Sequence, residues 1–154
     1  MEMPKPTEAH RRLAALAGRW TGNETIPPGP WDPKGSVAVG RCDNRVSVDG
    51  FILVHDYEQE RNGAVNFRGH GVFSYDSTAK SYALHWWDSM GVAPNVFKGD
   101  FNGNILQLVC VDGQGHSRTT WDLRAPDTYS FRMEMSQDGQ QWMTLMDGDY
   151  TKEN

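Results

Sequence analysis

Along most of the chain, apolar and polar residues alternate with a period of two, the repeat of a half-buried strand. Runs rich in Val, Tyr, Trp, Phe and Thr fall near 19–26, 36–48, 51–61, 65–75, 80–88, 95–101, 104–111, 116–124, 128–136 and 141–151. Asp49-Gly50, Asn62-Gly63, Asn102-Gly103, Asp112-Gly113 and Asp138-Gly139 separate several of them, and such dipeptides supply the positive φ angles of tight hairpins. One segment has the other period. Leu13, Leu16 and Ala17 recur at helical spacing after Thr7, a good N-cap, and Gly18 supplies a stop. A meander of about ten strands with short connections exposes two sheet edges unless it closes on itself. The pattern therefore predicts an all-β, closed, antiparallel up-and-down barrel of residues 1–154, one domain, with a short N-terminal helix capping one end. The stiff stretch Pro27-Pro28-Gly29-Pro30-Trp31-Asp32-Pro33 is barred from a central strand. Trp31 there either lids the barrel mouth or packs on the outer wall.

Turn chemistry also fixes a register. A two-residue turn at Asn62-Gly63 pairs Arg61 with Ala64, and counting back sets His55 opposite His70. A turn over Asp76-Ser77-Thr78-Ala79 pairs Tyr75 with Lys80 and sets His70 opposite His85. The three imidazoles are then expected in one row, with neighbouring Cβ atoms ~5 Å apart. Tyr57, Arg68 and Trp87 form the adjoining row; Leu53, Val72 and Ala83 lie on the other side. Apolar walls with a few converging polar groups make a small-molecule pocket. In that pocket Arg68 would pair with a ligand carboxylate or phenolate, and Trp87 would stack on an aromatic ring.

The opposite face carries Ile52, Phe73, Tyr82, Val54, Gly71, Leu84, Asp56, Gly69, Trp86, Glu58, Phe67 and Asp88. Its apolar end would suit a barrel interior, which would put the histidines outside, in a homodimer interface. Its carboxylates are costly to bury without partners, which favours the histidine face as the interior. Both orientations stay open. The turn at Asp138-Gly139 sets Met135 opposite Trp142, Met133 opposite Thr144 and Phe131 opposite Met146, an apolar face that reads as core. His116, Arg118, Thr120, Asp122 and Arg124 alternate along a solvated face.

A net charge of −5 and a pI near 5.4 argue against nucleic acid as a partner, since phosphate neutralisation needs clustered Lys and Arg. No basic amphipathic run points to a membrane surface, and no segment approaches the ~20 apolar residues of a membrane span. The first residues, Met1-Glu2-Met3-Pro4-Lys5-Pro6, precede no apolar stretch of the kind a leader carries. The expectation is a cytoplasmic protein with Cys42 and Cys110 reduced and buried.

Gly18-Arg19-Trp20 after a short helix is similar to the Gly-x-Trp opening of lipocalin-type (calycin) barrels. It stands with Pro30-Trp31-Asp32-Pro33, Val48-Asp49-Gly50-Phe51, Asp56-Tyr57-Glu58-Gln59-Glu60, Gly69-His70-Gly71, Tyr75-Asp76, Trp87-Asp88-Ser89-Met90-Gly91 and the Met133-to-Trp142 stretch. With that set the chain resembles, over nearly its whole length, a bacterial domain-of-unknown-function family with a lipocalin-like barrel. The resemblance implies a fold, and no agreed activity or catalytic residue comes with it. Wider relatives of such barrels include fatty-acid-binding proteins and haem-binding nitrobindins. The nitrobindin haem ligand is a His near the C-terminus. Here the last His is His116, and the final strands carry only Trp142, Met143 and Met146 as soft or aromatic groups.

Three readings of the histidine row compete. The first is a binding site for a small apolar or aromatic ligand, lined by His55, His70, His85, Tyr57, Arg68 and Trp87. The second is a cofactor site, with His55, His70 and His85 on a metal ion, as in catalytic zinc, or on haem. The outer Cβ atoms, ~10 Å apart, put such convergence near the limit of reach. The third is an enzyme in which one neutral imidazole acts as general base. No phosphate loop, GxSxG elbow or HExxH helix is present to name a reaction.

Overall fold

The structure, a computed structural model, describes residues 1–154. Ten strands run in chain order around a closed antiparallel barrel: β1 (Gly18–Ile26), β2 (Ser36–Ser47), β3 (Ile52–Arg61), β4 (Ala64–Asp76), β5 (Ser81–Asp88), β6 (Asn95–Asn102), β7 (Ile105–Asp112), β8 (Gly115–Ala125), β9 (Thr128–Ser136) and β10 (Met143–Lys152). Each strand pairs with the next, and β10 returns to β1 with Trp20 opposite Lys152. Period-two alternation located every strand to within two residues. A lipocalin-like barrel with one short helix, as expected, is the result.

Before β1 come the helix α1 (Glu8–Arg12) and a 3-10 turn over Leu13–Leu16. Thr7 caps α1 in a capping box closed by His10, whose Nδ1 lies 3.0 Å from the Thr7 backbone nitrogen and 2.9 Å from its hydroxyl. The apolar side of this segment plugs one barrel end. Leu13, Leu16 and Trp20 join Leu53, Phe73, Tyr82 and Leu106 in a continuous buried core. Polar ties fix the plug: the Tyr82 hydroxyl donates to the Ala9 carbonyl (2.6 Å), and Trp20 Nε1 (2.9 Å) and Asn44 Nδ2 (2.8 Å) both donate to the Leu16 carbonyl. Gly18, at φ 117°, makes the turn from plug to strand.

The predicted histidine row does not form, and the reason is one residue. Asn62 and Gly63 have φ of 53° and 80°, the two-residue turn expected, and Arg61 does pair with Ala64. Between Gln59 and Glu60 the register then slips, because β4 carries Asn66 as a β-bulge. Beyond it Tyr57 pairs with Gly69 and His55 with Gly71, not with Arg68 and His70. A one-residue shift exchanges the faces of a strand. His55 and Tyr57 therefore point into the barrel, while Arg68 and His70 point out. On the β4–β5 side the turn falls one residue later than expected, over Ser77–Lys80, with Lys80 at φ 54°. That moves the register by two, so faces are kept but partners change: His70 pairs with Trp87 and His85 with Val72. His70, His85, Arg68 and Trp87 all lie on the outer wall and are exposed. Of the two faces weighed from the sequence, the interior takes the β3 half of one and the β4–β5 half of the other. The outward half of β3 carries Asp56, Glu58 and Glu60, where desolvation costs them little. Between β9 and β10 the turn is one residue longer than expected, so Met143 pairs with Met135, and a bulge at Leu145 then shifts the register once more, so Met146 pairs with Met133; together the two offsets change partners but keep faces.

Glycines on the inner wall let large rings lie flat against it. A Cβ on Gly69 would stand 2.1 Å from the Trp86 ring, and one on Gly22 would stand 2.4 Å from the Tyr150 ring. Gly69→Ala is expected to destabilise the fold by about 1–3 kcal/mol through overpacking, with the Trp86 ring driven toward the barrel axis. Urea unfolding against wild type, with near-ultraviolet circular dichroism for the ring, measures both effects.

Candidate functional site

At the end away from the plug the barrel is not filled. A cavity of about 310 Å³ runs from Cys42 and Trp121 in mid-barrel toward Ile26, Arg61, Phe67 and Asp88 at the strand ends. Fourteen of its nineteen lining residues are hydrophobic, which makes it an apolar container with isolated polar positions. Phe131, Met133 and Met146 belong to this lining, so much of the apolar face read as core walls the cavity instead. Trp31 is 71% exposed and is not among the lining residues; neither seat expected for it is taken up.

His55 is the first polar position. Its ring is wedged among Phe73, Trp86 and Tyr57, at centroid distances of 5.7, 5.9 and 6.5 Å. Nδ1 lies 2.6 Å from Asn44 Oδ1. The Asn44 amide can adopt only one orientation, because its other end faces the Leu16 carbonyl, which can only accept. Oδ1 is thus an acceptor, Nδ1 carries the proton, and Nε2 is the bare imine nitrogen. Nε2 has no partner in the protein and opens on the cavity. Burial disfavours the imidazolium and lowers the pKa of His55 to about 4, a fall that the Asp56 charge only partly opposes.

Outside the lining itself, but hydrogen-bonded to its Tyr57, Gln59 and Tyr150, is Glu24, 1% exposed on β1. Its carboxylate accepts from the Tyr57 hydroxyl (2.8 and 2.9 Å), from Gln59 Nε2 (3.0 Å) and from the Tyr150 hydroxyl. It enters no ion pair; hydrogen bonds alone satisfy it. Burial, and then the nearby carboxylate, hold both phenols far above their ordinary pKa, so they remain donors. A Cβ on Gly40 would stand 2.3 Å from Glu24 Oε2, so that glycine makes room for the charge. Arg61, the one cationic side chain in the lining, is at a strand end and donates to Gln59 Oε1 (3.3 Å). Burial pushes the Cys42 thiol, set 3.7 Å from the Tyr129 hydroxyl, up to about 12, and a thiol held protonated is a poor nucleophile. Both cysteines are free and buried.

Of the six residues expected at the site, only His55 and Tyr57 reach the cavity. On the outer wall His70 Nδ1 lies 2.6 Å from Asp56 Oδ1, and Arg45 donates to the other oxygen at 3.0 Å. These bonds hold the Asp56 carboxyl below its ordinary value. With His55 inside and His70 and His85 outside, the three imidazoles cannot share an ion, and no group of three His, Cys, Asp or Glu side chains gathers elsewhere to hold one. Sequence reasoning missed Glu24, Asn44 and Gln59. Glu24 was legible in part, as an acidic residue at an inward position of β1 between Gly22 and Ile26.

No helix is long and apolar enough to cross a membrane. No curated protein matches the chain. Among solved structures it is similar to Rv2717c from M. tuberculosis, at 13% identity and a TM-score of 0.72 over 96% of this chain and 99% of that one. It is also similar to the S-type phycobiliprotein lyase CPES from Guillardia theta, at 9% identity and 0.61 over 97% and 99%. A third is EF1p2_mFAP2b bound to DFHBI, at 10% and 0.52 over 95% and 100%. At such identities the likeness is one of fold. The model of the family described as protein of unknown function (DUF1579) matches residues 5–152, and the chain belongs to that family.

Proposed function

We propose that the protein binds a small apolar or aromatic molecule inside the barrel. The observation that carries this reading is the half-filled interior: a cavity of about 310 Å³ with a mainly hydrophobic lining, of the size and character of small-molecule sites. Trp86, Trp121, Phe67 and Phe131 in that lining suit a flat aromatic guest. Two barrels of similar fold support it by their descriptions, one a phycobiliprotein lyase and one bound to DFHBI. Free, buried thiols fit a reducing, cytoplasmic setting.

The alternative, an enzyme with a histidine base in the same cavity, rests on His55 alone once His70 and His85 are outside. An imidazole held near pKa 4 is poorly matched to proton abstraction at pH 7, which favours binding over acid–base chemistry. For a metal ion or haem, His55 would be the one imidazole of the interior able to hold the group, through an imine nitrogen whose ring partner is hydrogen-bonded to Asn44.

Calorimetric titration with naphthalene-sized aromatic probes should give saturable binding at one site. Met133→Trp, which fills the cavity, should weaken it by about tenfold or more, whereas Trp31→Ala should leave it unchanged. Equal affinity in the Met133→Trp variant would place the binding outside the barrel.

His55 also makes stability depend on pH. The folded state keeps the ring neutral down to about pH 4, while the unfolded chain takes up a proton near pH 6.5. Between those values the unfolded state binds more protons, so stability falls as pH drops through that window, by about 3 kcal/mol in all. Urea unfolding from pH 7 to pH 4 should show this loss in wild type and a flatter profile in His55→Phe.

A further inference from the structure

The cavity's polar groups differ in kind from those of a site for acids. Toward a guest, His55 presents Nε2 with a lone pair and no proton, because Asn44 and the Leu16 carbonyl fix the proton on Nδ1. Behind the lining, Glu24 accepts hydrogen bonds from Tyr57, Gln59 and Tyr150 and enters no ion pair. Tyr57 and Tyr150 direct their hydroxyl protons at that carboxylate and have none left for a guest. Gln59 donates from Nε2 to Glu24 and to the Tyr57 oxygen (3.2 Å), and its Oε1 accepts from Arg61 and Asn66. The Cys42 thiol is engaged with Tyr129. What His55 has left to offer a guest is an acceptor; the unengaged donors of the lining are the Trp121 indole N–H and, at the strand end, the Arg61 guanidinium.

Resting on the binding reading above, we propose that the guest is a neutral hydrogen-bond donor, an aryl alcohol or an azole or lactam N–H, whose proton is accepted by His55 Nε2, and that carboxylates are excluded. Asn44 is then the residue that sets specificity without touching the guest. If its amide hydrogen bonds were lost, the imidazole could take the other tautomer and present a donor, which an aryl alcohol could meet only with its oxygen. A carboxylate drawn past Arg61, which stands at the strand end of the lining, would leave water for an inner cavity where the imidazole nitrogen facing it can only accept, and that costs more than it returns. An aryl alcohol, ionising near the tyrosine range, stays neutral at pH 7.

The test compares three probes of nearly one shape by calorimetry at pH 7: 2-naphthol, 2-methoxynaphthalene and 2-naphthoate. Wild type should bind naphthol about tenfold tighter than the ether, the effect of one hydrogen bond in a dry site, and naphthoate weakest. His55→Phe should remove the preference for naphthol while still binding the ether, and Asn44→Leu should reduce it. Independently of any probe, the long-range ¹H–¹⁵N correlation pattern of His55 should report a single Nδ1–H tautomer in wild type and a mixture in Asn44→Leu. Equal affinity for naphthol and ether, a preference that survives in His55→Phe, tighter binding of naphthoate, or an Nε2–H tautomer in wild type would each overturn the proposal and leave cavity binding standing. Failure of all three probes to bind would overturn the binding reading and this inference together.

Discussion

Closure governs this molecule. Because β10 pairs back onto β1, no strand has a free edge, and every strand must commit one of its two faces to a single shared interior. Ten strands enclose more space than the side chains of one half can fill. The N-terminal segment with Leu13, Leu16 and Trp20 closes one end with packed core, and the other end keeps a cavity. Site and core are thus two regions of the same inward face, separated along the barrel axis and not by sequence.

Which residues reach that face was legible in the sequence wherever turns alone set the register, and illegible wherever a bulge intervened. The strand count, the capping helix and the Asn62-Gly63 turn follow from spacing and from the φ preferences of glycine and asparagine. The identity of the β4 residues facing His55 does not. Asn66 is polar, exposed and unremarkable in composition, yet its unpaired place in the ladder exchanges inside for outside along all that follows in β4. In β10 the bulge at Leu145 follows a turn one residue longer than expected, and the two offsets cancel in the faces while changing the partners. A bulge is chosen by long-range fit within the closed sheet, so a local reading has no purchase on it. His55 and Tyr57 were found because they precede the slip, and His70, Arg68, His85 and Trp87 were misplaced because they follow it.

The interior polar groups show how an apolar barrel tolerates charge. Glu24 sits with two phenols and an amide aimed at it, and the room for that arrangement comes from Gly22, Gly40 and Gly148, over which Tyr150 and the carboxylate lie. The glycines and the aromatic rings are complementary halves of one wall. The outer wall handles its carboxylates differently, by ion pairs such as Arg41–Glu60 and Arg45–Asp56 in contact with water, where each contributes little.

The Leu16 carbonyl joins two parts of the chain that otherwise have separate tasks. It receives the Trp20 indole, which holds the plug, and the Asn44 amide, which orients His55. A proton accepted at Nε2 strengthens the Nδ1–H donor across the ring, and through Asn44 the bond to the plug. On the proposed mode of binding, occupancy of the cavity and seating of residues 8–16 would be thermodynamically linked, and by reciprocity whatever free energy a guest added to the closed end, the closed end would return to the guest.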